Sequence, residues 1–133
     1  MTGMTALLLF ALWTLVMMFT SRAYRLTQFM TFKKPINAYP RGIVNDDPAF
    51  FVRAEHAHLN CLENLPIFAA IVLAAAAMGQ SSVADDVGVY VLLARVAQSV
   101  THLIGTTVLL VWVRATFFFV QAILFVIMTL QLI

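Results

Sequence analysis

Four long apolar blocks, separated only by short polar stretches, constrain this chain more than any other feature. They run over about residues 4–29, 54–78, 86–105 and 113–132. Each is close to or above the ~20 residues with which an α-helix crosses ~30 Å of hydrocarbon. With 62% of its residues hydrophobic and 11% charged, the chain reads as an integral membrane protein rather than a soluble domain. Its 133 residues leave room for little beyond those spans, so residues 1–133 are expected to form a single all-α transmembrane domain, a four-helix bundle.

The block from Met4 to Thr20 continues as an apolar-rich helix toward Phe29. No basic residue precedes it, and no small-x-small site stands before Ser21-Arg22-Ala23-Tyr24-Arg25, so a retained anchor is expected rather than a cleaved leader. The second span stops at Gly79-Gln80-Ser81-Ser82. Pro66 should bend it, because the ring removes one backbone hydrogen bond and crowds the carbonyl of Leu62. Asp85 and Asp86 suit the N-terminus of the third helix. Between spans three and four, Val108 to Val113 is apolar for a loop, and a tight membrane-buried turn at Gly105-Thr106-Thr107 is the alternative.

Lys and Arg set the expected orientation. Arg22, Arg25, Lys33, Lys34, Arg41 and Arg53 lie in or beside the first loop, whereas the second has only Asp85 and Asp86. The segment 22–53 should therefore be cytoplasmic, with both termini on the opposite side. That asymmetry accounts for most of the +2 net charge, and nothing else suggests nucleic-acid binding. Cys61 has no cysteine partner, which excludes an intrachain disulfide and argues against a metal site. No glycine-rich phosphate loop is present.

Within the second block, Arg53-Ala54-Glu55-His56-Ala57-His58-Leu59-Asn60-Cys61-Leu62-Glu63-Asn64-Leu65-Pro66 carries ionisable groups at helical spacing. At 100° per residue, Arg53, His56, Asn60, Glu63 and Ile67 fall within a sector of roughly 80°, while His58 points the other way. A second stripe on span three comprises Arg95, Gln98, Ser99 and His102, within roughly 100° of one another. On span four, Arg114 and Gln121 stand one above the other. A charge near the bilayer centre costs roughly 2.5–3.5 kcal/mol on insertion scales, so such groups face a bundle, a cavity or a ligand. Glu63 by itself fits an ion pair between helices as well as it fits a ligand contact. Taken together, Arg53, His56, Asn60, Glu63, Arg95, Gln98, His102 and Arg114 exceed what packing needs. They suit a zwitterion whose ammonium meets Glu63 and whose carboxylates meet arginines.

The run Asp47 to Phe68, and above all its Ala-x-x-Asn-x-x-Glu-x-x-Pro core (Ala57, Asn60, Glu63, Pro66), resembles the hallmark of the MAPEG family, the membrane-associated proteins of eicosanoid and glutathione metabolism. Chain length, four spans, a basic first loop, Arg95 in span three and Arg114 entering span four agree with the same pattern. The resemblance implies an up-down four-helix protomer, a homotrimer, and glutathione as co-substrate bound between protomers near the cytoplasmic side. It implies conjugation, peroxide reduction or isomerisation of lipophilic small molecules that arrive through membrane lipid. By position, Asn60 and Glu63 match glutathione contacts, with Glu63 at the amino group. His56 stands where several members have an Arg, Arg22 or Arg25 resembles the basic residue ending span one, and Arg114 resembles the Arg that stabilises the thiolate.

The expected glutathione-binding set is therefore Arg25, Arg53, His56, Asn60, Glu63, Arg95, Gln98 and His102, with Arg114 catalytic and no metal. Gln98 and His102 occupy positions where catalytic members often carry His or Tyr, and Ala115 and Phe118 follow Arg114 where a prostaglandin-forming member has Ser and Tyr. These departures argue against eicosanoid chemistry and leave two expectations open: a glutathione transferase or peroxidase, or a catalytically silent lipid-binding or structural trimer. A small proton-coupled exporter would need a carboxylate in its first span, and Met4 to Thr20 has none.

Overall fold

The computed structural model describes residues 1–41 and 46–133; the middle of the basic loop, residues 42–45, lies outside them. The described residues form helices α1 (Gly3–Met30), α2 (Ala49–Ala77), α3 (Ser81–Ile104) and α4 (Val108–Leu132), with no strand among them. All four are long and apolar enough to cross a membrane. They pack as one bundle around Phe10, Phe68, Val91, Phe125 and Met128.

Local chemistry sets the helix ends. Thr2 accepts the Thr5 amide at the start of α1, so the first turn is capped before the apolar run begins. Pro48, which has no amide hydrogen to lose, precedes α2. That helix starts at Ala49, five residues before the apolar block, because Phe51 stacks on Tyr24 of α1 at 5.3 Å and extends the packing surface. At its far end Gly79 adopts φ +70°, and Gln80 N–H reaches back to the Ala75 carbonyl at 2.8 Å. This is a left-handed stop that a residue with a Cβ would resist.

Two further boundaries differ from the sequence expectation. Helix α3 begins at Ser81, so Asp85 lies in its second turn and serves another element: its Oδ1 accepts the Gly3 amide of α1 at 2.6 Å. Helix α4 begins at Val108 rather than at 113, because Thr107 accepts the Leu110 amide as a cap and residues 105–107 suffice for the turn. The apolar stretch 108–113 is helix, in line with the tight-turn alternative. An apolar backbone in a bilayer must satisfy its own hydrogen bonds, which favours helix over loop there.

Successive pairings give the order of the helices. Arg25, Thr14 and Phe10 of α1 meet Glu55, His58 and Phe68 of α2. Cys61 and Asn60 of α2 meet Ser99 and His102 of α3, and Arg95 of α3 meets Gln121 of α4. Helices α1 and α3 approach closely through small residues. A Cβ on Gly3 would lie 2.5 Å from Ala84 Cβ and 2.8 Å from the Ala84 carbonyl carbon, and one on Gly88 would lie 3.1 Å from Ala6 Cβ. Lipid gives little hydrophobic drive between helices, so such close packing carries much of the association. Hydroxyls on the spans return to their own helices, as Thr14 does to Phe10 O, Ser99 to Arg95 O and Thr129 to Phe125 O.

Replacing Gly88 by Val should force α1 and α3 apart and lower unfolding stability in detergent by about 1–3 kcal/mol, an overpacking penalty. Reversible denaturant titration of both proteins measures it, and an unchanged midpoint would show that the helix contact is loose.

Candidate functional site

The two polar stripes converge. His56 and Asn60 from α2, Gln98 and His102 from α3, and Val111, Arg114, Ala115 and Phe118 from α4 line one open groove of about 440 Å³. Helical spacing places these residues together: 56 and 60 lie one turn apart on α2, 98 and 102 on α3, and 111, 114/115 and 118 follow one face of α4. The Asn60 side-chain amide nitrogen stands 3.4 Å from His102 Nδ1, and the His56 and His102 rings lie 6.0 Å apart. His58 points the other way, buried against α1 with Nδ1 3.3 Å from Thr14 O.

Beneath the groove lies a chain of polar side chains. Gln121 Nε2 donates to Gln98 Oε1 at 3.0 Å and to Phe117 O at 3.2 Å, while Gln121 Oε1 accepts from Arg95 Nε at 3.1 Å. Arg95 is fully buried, and its Nη1 and Nη2 have no hydrogen-bond partner among the described residues. The Phe10 ring lies 5.5 Å from the guanidinium carbon, so a π-face supplies part of the missing compensation. Gln98 is thus fixed from below through its side-chain oxygen.

The other expected residues fall in three places. Arg53 sits half-buried at the rim, its Nε donating to Leu103 O at 3.1 Å. Glu63 is exposed at the middle of α2, with neither an ion pair nor a hydrogen bond among the described residues. Arg25 lies elsewhere: its Nη2 is 2.8 Å from Glu55 Oε2, its Nε 3.5 Å from Asp47 Oδ2, and its guanidinium covers the Tyr39 ring at 4.5 Å. Two carboxylates already match its charge, so its grouping with the groove residues does not hold within one chain. Gln121 and Phe118 were not among the expected site residues. Gln121 was visible as the polar residue in the middle of an otherwise apolar fourth span, but its partners are on α3 and no spacing rule on one helix gives them.

Electrostatically the groove is cationic. Arg114 lines it, Arg53 borders it, two imidazoles face it, and no carboxylate is in its lining. Arg114 forms no ion pair among the described residues, so its guanidinium is available to a ligand anion. The opening lies beside exposed Val111 and Phe118, an apolar border of the kind a lipophilic molecule in the bilayer would meet. No group of three or more His, Cys, Asp or Glu suited to a metal occurs among the described residues.

In the first loop, the Lys34 ammonium holds the Asp46 carboxyl below its ordinary value, and the same hydrogen bond raises Lys34. Burial, with the hydrogen bond to Asp47, raises the Tyr39 phenol. Tyr39 therefore stays neutral at physiological pH and donates to Asp47 Oδ1 at 2.7 Å. These contacts fold the described part of the loop back against the end of α1.

Gln121→Leu should remove the oxygen that accepts from Arg95 Nε and destabilise the bundle by about 3–5 kcal/mol, the usual cost of leaving a buried charge unmatched. The double variant Arg95→Met/Gln121→Leu should recover much of that loss. Additive losses in the double variant would show that the two side chains do not act as a unit.

The model of the MAPEG family matches residues 3–133, nearly the whole chain. No curated protein matches it.

Proposed function

The chain belongs to the MAPEG family, and from that membership we propose that it is a membrane-bound glutathione transferase or peroxidase acting on lipophilic electrophiles or hydroperoxides. The observation that carries this proposal is the cationic groove, in which Arg114, unpaired by any described carboxylate, stands with Asn60, Gln98 and two histidines beside an apolar border. A thiol of ordinary acidity is mostly protonated at neutral pH, and its thiolate is the nucleophile. A guanidinium aimed at the sulfur favours the thiolate without giving up a proton of its own.

In this scheme Arg114 holds the thiolate, while Asn60, His56 and Gln98 orient the peptide and His102 supplies a ring N–H or acceptor beside them. Arg53 reaches a carboxylate from the rim. Glu63 takes the ammonium, and Arg95 is a positioning residue acting through Gln121 and Gln98. Arg25 is left out of the ligand set because Asp47 and Glu55 already match it. The sulfur attacks an electrophilic carbon to form the thioether, as a leaving group such as halide departs with its bonding pair or as an epoxide or activated double bond opens and the resulting anion takes up a proton. With a hydroperoxide it takes the terminal oxygen and releases an alcohol, and a second glutathione then closes the disulfide as water leaves.

The assembly belongs to the same proposal. The order of helix pairings supports an up-down arrangement across the bilayer, and the Lys and Arg asymmetry supports a cytoplasmic first loop with both termini opposite. An exposed carboxylate halfway along a span is costly against lipid. Contact of Glu63 with a neighbouring copy and a shared ligand removes that cost, which favours an oligomer; the number three comes from the family resemblance.

Calorimetry with glutathione tests the binding step. Saturable binding is expected, weakened about tenfold or more in Glu63→Gln, since a lost charge-assisted hydrogen bond is worth roughly 1.5–3 kcal/mol. Arg114→Gln should lower turnover about 10²-fold, as removal of one anion-stabilising donor does, with a smaller change in affinity. A well-folded oligomer that binds no glutathione would overturn the proposal in favour of a silent structural trimer.

A further inference from the structure

A second groove, away from the polar stripes, lies where α1 leaves the apolar span. Phe19, Arg22, Leu26 and Phe29 of the helix and Ile36 and Tyr39 of the loop enclose about 440 Å³. Its walls are largely apolar and open: Phe19 is 67% exposed, Leu26 59% and Ile36 85%. The two guanidiniums that border it are in different states. Arg25 is fixed by Asp47 and Glu55 and stacks on Tyr39, and the Tyr39 hydroxyl is in turn held by Asp47. Arg22 is exposed and meets only the Ser21 hydroxyl at 3.2 Å and Met18 O at 3.5 Å, with no carboxylate partner among the described residues.

Depth identifies the occupant. From Gly3 to Ser21 the helix advances about 28 Å at ~1.5 Å per residue, close to the ~30 Å of a hydrocarbon core. Arg22 therefore stands at the layer of lipid headgroups, Phe19 in the hydrocarbon just beneath, and Leu26 on the same helix face about 6 Å further out. Lys33, Lys34 and Arg41 add to the local positive charge, and among the described residues Lys34 pairs with Asp46. A small soluble anion would use Arg22 and leave the apolar walls wet. A neutral lipid would cover the walls and leave Arg22 unmatched.

We propose that this groove seats an anionic glycerophospholipid of the surrounding bilayer, its phosphate on Arg22 and an acyl chain descending along Phe19, with Leu26 beside the headgroup. The Arg25–Tyr39–Asp47 contacts form a fixed back wall, and Arg22 is the movable arm that closes on the headgroup. None of this groove's lining residues lines the α2–α4 groove.

The test is native mass spectrometry of the full chain, exchanged in detergent against equimolar phosphatidylglycerol and phosphatidylcholine, with no glutathione present. The wild type should retain phosphatidylglycerol preferentially. Arg22→Gln should lower that preference about fivefold, the effect of one interfacial cation on an anionic lipid, while Lys33→Gln, outside the groove, should stay within about twofold of wild type. Equal retention of both lipids by the wild type overturns the proposal. So does an equal loss in both variants, which would indicate diffuse surface attraction, or an Arg22→Gln protein that changes oligomeric state but keeps its lipid preference, which would make the groove a contact between copies. Helical circular dichroism confirms that each variant is folded before its lipids are counted.

Discussion

The guanidinium of Arg95 lies inside an apolar bundle, and the helices around it are arranged to offset its desolvation. Gln121 of α4 supplies an oxygen, Phe10 of α1 a ring face, and Ser99 and Cys61 sit one turn further along α3 and across on α2. Because Gln121 is shared between Arg95 and Gln98, the same contact that accommodates the charge also fixes a wall of the polar groove. Bundle register and site geometry therefore have one origin. A shift of α4 by one turn would detach Gln121 from both partners and carry Arg114 away from His102 at the same time.

This arrangement demands close approach elsewhere. With no hydrophobic drive between helices in lipid, α1 and α3 are held by Gly3, Ala6, Ala84 and Gly88 in near-backbone contact and by the Asp85 carboxylate on the Gly3 amide. The hydroxyls of Thr14, Ser99 and Thr129 turn back to carbonyls on their own helices and ask nothing of their neighbours. Among the described residues, Glu63, the groove cations and Arg22 at the end of α1 are then left without an oppositely charged partner, and Arg95 keeps two guanidinium nitrogens unbonded inside the bundle.

Much of this was legible in residue order. Block length and apolarity show four spans because the bilayer fixes both, and the 100° helical period groups His56 with Asn60 and Gln98 with His102 without knowledge of any partner. The hallmark around Asn60 and Glu63 points to the family that the match over residues 3–133 shows. What sequence periodicity does not contain is the pairing of one helix with another. Asp85 looked like a cap for its own helix and instead holds α1. Arg25, expected beside the groove residues, lies within one chain against Asp47 and Glu55, whose positions depend on the path of the loop. Gln121 showed its polarity but not its two partners. The start of α4 was ambiguous for a different reason: Val108 to Val113 is as apolar as the helix it joins, so hydropathy has no step there and the Thr107 cap decides.

The placement of Glu63 bears on how binding and assembly relate. Within one chain the cationic groove has no carboxylate of its own, and the single mid-span carboxylate faces outward from α2, one turn along from Asn60. Either charge alone is unfavourable against hydrocarbon, the groove because its cations repel one another and Glu63 because nothing solvates it. A zwitterion lying along α2 would match both at once, with its carboxylates toward Arg53 and Arg114 and its ammonium toward Glu63. A neighbouring protomer packed over the same face would exclude lipid from that contact and lower the local dielectric, strengthening each ion pair. In the proposed trimer, ligand and subunit thus cover the same unmatched charges, and linkage requires that each favour the other: glutathione should hold the protomers together to the same degree that assembly raises its affinity.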